Sequence, residues 1–528
     1  MVAQTPWLKA TYLATLVGEL RTGMQRLLFG LCDDLDGPYG RMSRDLALPV
    51  DLFRIVGHKL PPRDFSNWKV VGWIEEINDL VYFLDVQRQL TRERHRADFA
   101  KSFLAACTEQ FYEHSYLDDL FPNRKPEPAK LPVRLTALCT KLAKRITQQG
   151  LLMCQVATLA WLKGGRASTP PVARAYACRL DADVERAELP GLLHLEPAGC
   201  EVELPVSVMR QLARLNGKAR LDVRPPHAYL CVGDQRLPLF ETRPERHWKW
   251  EVLPPRFVIA PTKRWPSGLV LGPTLEYGRE LMPKRVMPTP GKAAKRITQA
   301  LAVIKAAWPE GYRLFRRLTE RIVPLKATGV VSFSYRHRPG LSFINTFDRG
   351  QLDLIDDLIH ENSHHHLNLL LRKFDMRRGD HHQEIFYSPW RRSLRPLHGI
   401  LHATFTFTMG ARLFERLSFW ADGGLPAATL RTVGLTERDM LRARFRCLEE
   451  VESVRYSLHD LAWAADRMGW LSPSGVALVR ALDAEIGKVA RRIERHRATV
   501  MRSRYGALLR RHVRELEQAR ATYGRLRA

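Results

Sequence analysis

Cysteine is scarce in this chain: eight in 528 residues. Cys32, Cys107, Cys139, Cys154, Cys178, Cys200, Cys231 and Cys447 form no CxxC pair, which argues against a thiolate metal site or a disulfide framework. Long apolar runs are missing too. No stretch approaches the ~20 residues that a bilayer-spanning helix needs, and the longest candidate, Leu151 to Leu162, carries Gln155. The first thirty residues do not read as a signal peptide, because Glu19 and Arg21 interrupt a helical spacing of leucines. The expectation is a soluble, cytoplasmic protein with no membrane partner. Acidic residues are also under-represented, with 56 Asp and Glu against 83 Lys and Arg, a net charge of +27. Such a surface attracts polyanions and says nothing about fold. What is present, 45% hydrophobic and 9% aromatic residues, suffices for sizeable cores.

The pattern along the chain predicts a mainly α (α+β) fold in four regions. Residues 1–168 read as helical, with apolar residues three and four apart in Trp73 to Leu90 and Arg94 to Tyr112. Residues 169–290 are rich in Pro and Gly and hold short β-like runs, among them Glu201 to Val206, Ala219 to Val223, Ala228 to Val232 and Leu269 to Leu271. Residues 291–425 return to helix through 320. They then offer a hairpin (Thr328 to Tyr335, a turn at Arg338-Pro339-Gly340, Leu341 to Phe347), a strong helix over 351–373, a loop over 374–396 and a helix from about 397 to 420. Residues 426–528 are helical and basic: between Arg491 and Ala528 there are 12 Arg against 3 Glu and no Asp.

Eight of the eighteen histidines lie between 351 and 402. Within them His360-Glu361-Asn362-Ser363-His364 reads HExxH. On a helix, positions i and i+4 sit one turn apart on one face, so both imidazoles can meet one metal ion. Glu361, about 100° round the helix, is placed for the second shell or for a metal-bound water. Asp356 and Asp357, one turn earlier, are placed to orient a histidine. A third ligand must come from elsewhere. His402, on an amphipathic helix that also carries His398, is favoured over Glu384, which follows His364 by 20 residues in a polar loop.

The order Val331-Ser332-Phe333-Ser334, Pro339-Gly340, Leu358-Ile359-His360-Glu361, His364, Tyr387-Ser388-Pro389-Trp390-Arg391, Arg395-Pro396-Leu397, Gly399 and Leu401-His402 resembles the HExxH-motif peptide-modification proteins. These are iron- and 2-oxoglutarate-dependent β-hydroxylases of ribosomally made peptides. The resemblance covers about 300–420, with a weaker echo at Ala307-Trp308-Pro309-Glu310. It implies Fe(II) held by His360, His364 and His402, 2-oxoglutarate as cosubstrate, and a peptide as substrate. Ala403 stands where the family usually has glycine, and His365 and His366 are extra. An oxygenase of this kind leaves positions for a bidentate keto acid and dioxygen. The far carboxylate of 2-oxoglutarate suits an arginine fork, for which Arg391 and Arg395 are the candidates. Tyr387 and Trp390 are candidate pocket walls.

Two other readings compete. A zinc metallopeptidase would hold Zn with His360, His364 and Glu384 and use Glu361 as the base. A non-enzymatic nucleic-acid-binding protein would use the basic C-terminal stretch, although no known nucleic-acid motif accompanies it. The SPWR, RPL and LH context favours the oxygenase. In that reading, Arg491 to Arg527 is a surface that recruits an acidic peptide leader.

Overall fold

A computed structural model describes residues 6–92 and 291–524, apart from a few single positions and short turns, with residue 146 and eight short strands between them. The expected helix Arg94 to Tyr112 and the segment Leu151 to Leu162 lie outside the described residues.

The chain is mainly α. The N-terminal part holds α1 (Ala10–Asp36), α2 (Gly40–Asp45), α3 (Val50–Lys59) and α4 (Trp68–Arg92). In α1, Leu13, Leu16, Leu28, Leu31, Cys32 and Leu35 form the buried stripe that their spacing predicts. Past residue 290 come α5 (Gly291–Ala307) and α6 (Pro309–Leu318), the latter opened by a proline in its first turn. The long helices of the core are α7 (Gln351–Lys373) and α8 (Leu397–Asp422), followed after the short α9 (Ala427–Thr432) by α10 (Glu437–Asp466) and α11 (Pro473–Ile493). Thr436 and Asp439 cap α10 reciprocally, each side chain accepting from the other's backbone N–H, at 3.2 and 2.9 Å. The chain closes with α12 (Arg497–Met501) and α13 (Tyr505–Tyr523).

Between α4 and α5, strands β1 (Gly191–Leu195), β2 (Cys200–Leu204) and β6 (Val258–Ala260) form one small antiparallel sheet. β3 (Ala219–Arg224), β4 (His227–Val232) and β5 (Gln235–Glu241) form another. β7 (Lys263–Arg264) and β8 (Val270–Leu271) instead join a five-stranded sheet with β9 (Arg321–Leu325), β10 (Phe333–Ser334) and β11 (Leu341–Asn345), in the order β10-β11-β9-β8-β7. The β-rich region therefore hydrogen-bonds directly to the part that carries HExxH.

The expected hairpin is present as β10–β11. Its Gly340 sits at φ +95°, where a side chain would meet the Leu318 carbonyl at 2.9 Å. Two elements differ from expectation. β9 lies in the middle of the sheet despite Pro324, and the supposed loop 374–396 contains a second hairpin, β12 (Phe386–Ser388) with β13 (Ser393–Arg395).

One cluster of buried apolar side chains runs from Trp7 through α5–α8 and α10–α11 to Leu509. The boundary drawn at 425/426 is thus not a core boundary. Part of the charge of the basic C-terminal stretch is paired within the molecule. Arg492 pairs with Glu415 (3.2 Å), Arg497 with Glu452 (3.0 Å), Arg520 with Asp460 (3.1 Å) and Arg495 with Asp422. Four of its twelve arginines thus meet carboxylates of α8 and α10, while Arg491, Arg502, Arg504, Arg510, Arg511 and Arg514 stay exposed. Among the described residues, no helix is long and apolar enough to cross a membrane.

Candidate metal centre

Helix α7 carries two polar stripes, and they face different partners. The first is Asp357, Glu361 and His365, four apart and so on one face. It meets the hairpin side: Ser332 Oγ donates to Asp357 (2.7 Å), Ser334 Oγ donates to Glu361 (2.8 Å), and the Gly340 N–H donates to His365 Nδ1 (3.2 Å). Ser342 Oγ lies 3.0 Å from His365 Nε2. Because Nδ1 accepts, a neutral His365 carries its proton on Nε2 and donates it to Ser342. The pair therefore has the wrong proton arrangement for an activated serine. His366 is also committed, with Nε2 bonded to the Trp7 carbonyl at 2.8 Å. The two extra histidines after HExxH are structural.

The second stripe is Asp353, Asp356, His360 and His364. Asp353 pairs with Arg442 (2.6 Å) and Asp356 with Arg446 (3.6 Å), both from α10. Neither Asp356 nor Asp357 orients a histidine, as the sequence suggested; each is taken up elsewhere. His360 and His364 have no hydrogen-bond partner among the described residues. Their rings meet each other edge-on at 4.9 Å, His360 meets Phe407 at 4.9 Å, and His364 meets His402 at 5.9 Å. The crossed pairing, 360 with 407 and 364 with 402, shows that α7 and α8 run antiparallel here.

The His360–His364 spacing is that of two imidazoles on one ion, and the His364–His402 spacing is about 1 Å wider. With nitrogen ~2.1 Å from a metal and the ring centre ~1 Å beyond, two ligating imidazoles stand about 5 Å apart. Among the described residues no three His, Cys, Asp or Glu donors already meet at one point, so binding calls for side-chain rotation as well. All three rings are held neutral, the form that ligates. Burial pushes His360 down to about 4, helped by Arg446 and Arg391. It pushes His364 well below its ordinary value, helped by His360 and His402, and His402 down to about 3, helped by His398. Burial also raises the Glu361 carboxyl to about 8, against the Ser334 hydrogen bond. Glu361 thus holds a proton at neutral pH unless a nearby cation draws it off.

The other sequence-derived residues separate. Glu384 is exposed on the polar loop, whereas the three histidines are half-buried. Arg391 and Arg395 are both exposed. Arg391 acts on His360, while Arg395 acts on His398, one turn before His402. Trp390 lies flat on Phe407 (4.2 Å, 5° between planes) and so backs the ring that touches His360. Tyr387 is a correction: its ring stacks on Tyr523 at 5.3 Å and meets Tyr456 at 5.9 Å, in a cluster with α10 and α13 rather than at the histidines.

Sequence reasoning missed Phe407, Arg446 and Glu450. Glu450 is fully buried and accepts from Trp390 Nε1 at 2.7 Å and from Arg446 at 2.6 Å. The signal for it was the indole itself, since a buried tryptophan N–H needs an acceptor. Compared with known proteins, the chain matches no family model and no curated sequence.

Proposed function

We propose that this chain is an iron(II)- and 2-oxoglutarate-dependent dioxygenase that hydroxylates a side chain of a ribosomally made peptide. The observation that carries the reading is the run of neighbouring rings His360, His364 and His402, all neutral and, among the described residues, without competing hydrogen bonds, on the side of the site that the Trp390–Arg391 turn borders. His360, His364 and His402 would hold the ion, and their placement on two helices leaves one side of it to small ligands. Iron supplies the activation of dioxygen at that open side. Arg391 receives the far carboxylate of 2-oxoglutarate through its two-pronged fork. Trp390 and Phe407 form an aromatic wall that keeps water from the His360 side. Overall, one oxygen atom of dioxygen enters the peptide as a hydroxyl group and the other enters succinate, as carbon dioxide leaves.

The zinc peptidase reading has less support. Its third ligand, Glu384, is exposed, and its base, Glu361, is buried and committed to a hydrogen bond from Ser334 on the hairpin side. The test is anaerobic loading with ferrous iron followed by air, 2-oxoglutarate and the candidate peptide. A gain of one oxygen atom with matching succinate is expected. Peptide cleavage that requires only zinc would overturn the proposal.

A further inference from the structure

The resemblance in sequence ends near residue 420, yet a residue of α10 reaches the site from beyond it. Glu450 is 1% exposed, and its two carboxylate oxygens have separate duties. One accepts from Arg446, which also lies 3.6 Å from Asp356 and 3.4 Å from Glu449. The other accepts the indole N–H of Trp390. A buried ion pair of this kind is seldom worth its desolvation as a source of stability. What it does here is fix a position.

Trp390, in the β12–β13 turn, reaches Glu450 of α10 and Phe407 of α8. The turn itself is closed by two bonds to Ser388, from the Arg391 N–H to Oγ at 3.3 Å and from the Arg392 N–H to the carbonyl at 2.8 Å. Arg392 takes the left-handed conformation, φ +53°, and pairs with Glu515 at 3.3 Å. Arg391, between Trp390 and Arg392, has no carboxylate partner among the described residues. Its anchors are the neighbours on either side. On one side the path runs from Glu450 through Trp390 to Phe407 and His360; on the other it runs directly along the chain to Arg391.

We propose that Glu450 is a positioning residue: through Trp390, whose ring lies on Phe407 and so on the His360 side of the site, it holds the turn that presents Arg391 to the far carboxylate of the keto acid. This rests on the dioxygenase reading and adds the element that presets its cosubstrate arm. Glu450 touches neither metal nor cosubstrate. Trp390→Phe removes the N–H donor while leaving a smaller aromatic ring against Phe407. Glu450→Gln keeps the shape but offers one accepting oxygen for two donors.

The experiment is calorimetric titration of 2-oxoglutarate into the full-length, metal-loaded chain, without oxygen or peptide, beside a titration of the metal alone. In both variants the affinity for 2-oxoglutarate is expected to fall roughly ten-fold or more while metal affinity stays within about three-fold, the scale of an outer-shell partner. Arg391→Ala should cause a comparable loss, and adding Trp390→Phe to it should cost nothing further, because the tryptophan acts through the arginine. Unchanged 2-oxoglutarate affinity in both single variants overturns the proposal, and so does a second full loss in the double variant. A parallel fall in metal affinity overturns it as well, since that marks general loosening. If the unaltered chain binds metal but no 2-oxoglutarate, the dioxygenase reading itself fails and takes this one with it.

Discussion

The two polar faces of α7 have the same kinds of residue and opposite fates. Toward the hairpin, Asp357, Glu361 and His365 each find a serine or a backbone partner within 3.2 Å. Toward α8, among the described residues, His360 and His364 meet rings alone: each other, His402 and Phe407. Among the described residues the half-buried His360 and His364 have no hydrogen-bond partner, whereas the neighbouring face is bonded throughout. The difference separates histidines that hold the fold from histidines kept available. His365 and His366 are already bonded, which is consistent with a register at 360 and 364.

The comparison is broken most directly at the available face. His360→Ala or His364→Ala should lower metal affinity by more than ~100-fold, beyond the span of an outer-shell change. Hydroxylation should be lost with it. The metal-free variants should melt within about 1 kcal/mol of the parent, because no hydrogen bond is removed. Metal titration with urea unfolding of the metal-free chain checks both. A large stability loss here would mean that the two faces do not differ in kind.

His365→Ala is the mirror experiment. It strands the Gly340 N–H and the Ser342 hydroxyl in a buried place and leaves a cavity, at a cost of about 3 kcal/mol. Metal affinity should remain within about three-fold of the parent. If His365→Ala instead abolishes metal binding with little effect on stability, the register assigned here is wrong by one residue.

The satisfied face also has a pH signature. Burial raises the Asp357 carboxyl from its ordinary 3.8 to about 6, against the Ser332 hydrogen bond and Arg349. A group whose folded pKa is raised stabilises fully below its unfolded pKa and loses that contribution as pH rises through the folded value. Asp357 should therefore make the fold less stable between about pH 4 and 6, by up to roughly 1.4 kcal/mol per pH unit. Asp357→Asn should flatten that part of the stability curve. An unchanged slope in the variant would show that Asp357 titrates as an ordinary surface acid.

How much of this was written in the sequence depends on how local the information is. The period of α7 is local, and Gln351 to Lys373 was legible from Leu352, Ile355, Ile359, Leu367 and Leu370. The Pro339-Gly340 turn was legible for the same reason. β9 was not, because Pro324 lacks an N–H and argues against a central strand, while the pairing that makes it one comes from Leu341–Asn345 and Val270–Leu271. Four of the C-terminal arginines pair with Glu415, Asp422, Glu452 and Asp460 of the same molecule, which the charge run alone did not disclose. No spacing rule joins residues 60 apart. Tyr387 and Trp390 illustrate the point most narrowly: three residues apart in one motif, they serve different clusters, and only the elements packed on them decide which.

The smallest expected effect tests the edge of the available face. Glu384 was the competing third ligand, and it lies exposed on the loop before β12, while His402 lies half-buried against His364. An exposed carboxylate of this kind contributes little on its own to stability or to a distant ion. Glu384→Ala should leave metal affinity within about two-fold, and His402→Ala should weaken it by more than ~100-fold, as for the other two histidines. The pair is read best by competition with a chromogenic chelator under identical buffer, so that each variant serves as the other's control. If the ranking is reversed, the loop must fold inward on binding. The third donor is then a carboxylate, and the arrangement becomes the one a zinc peptidase uses.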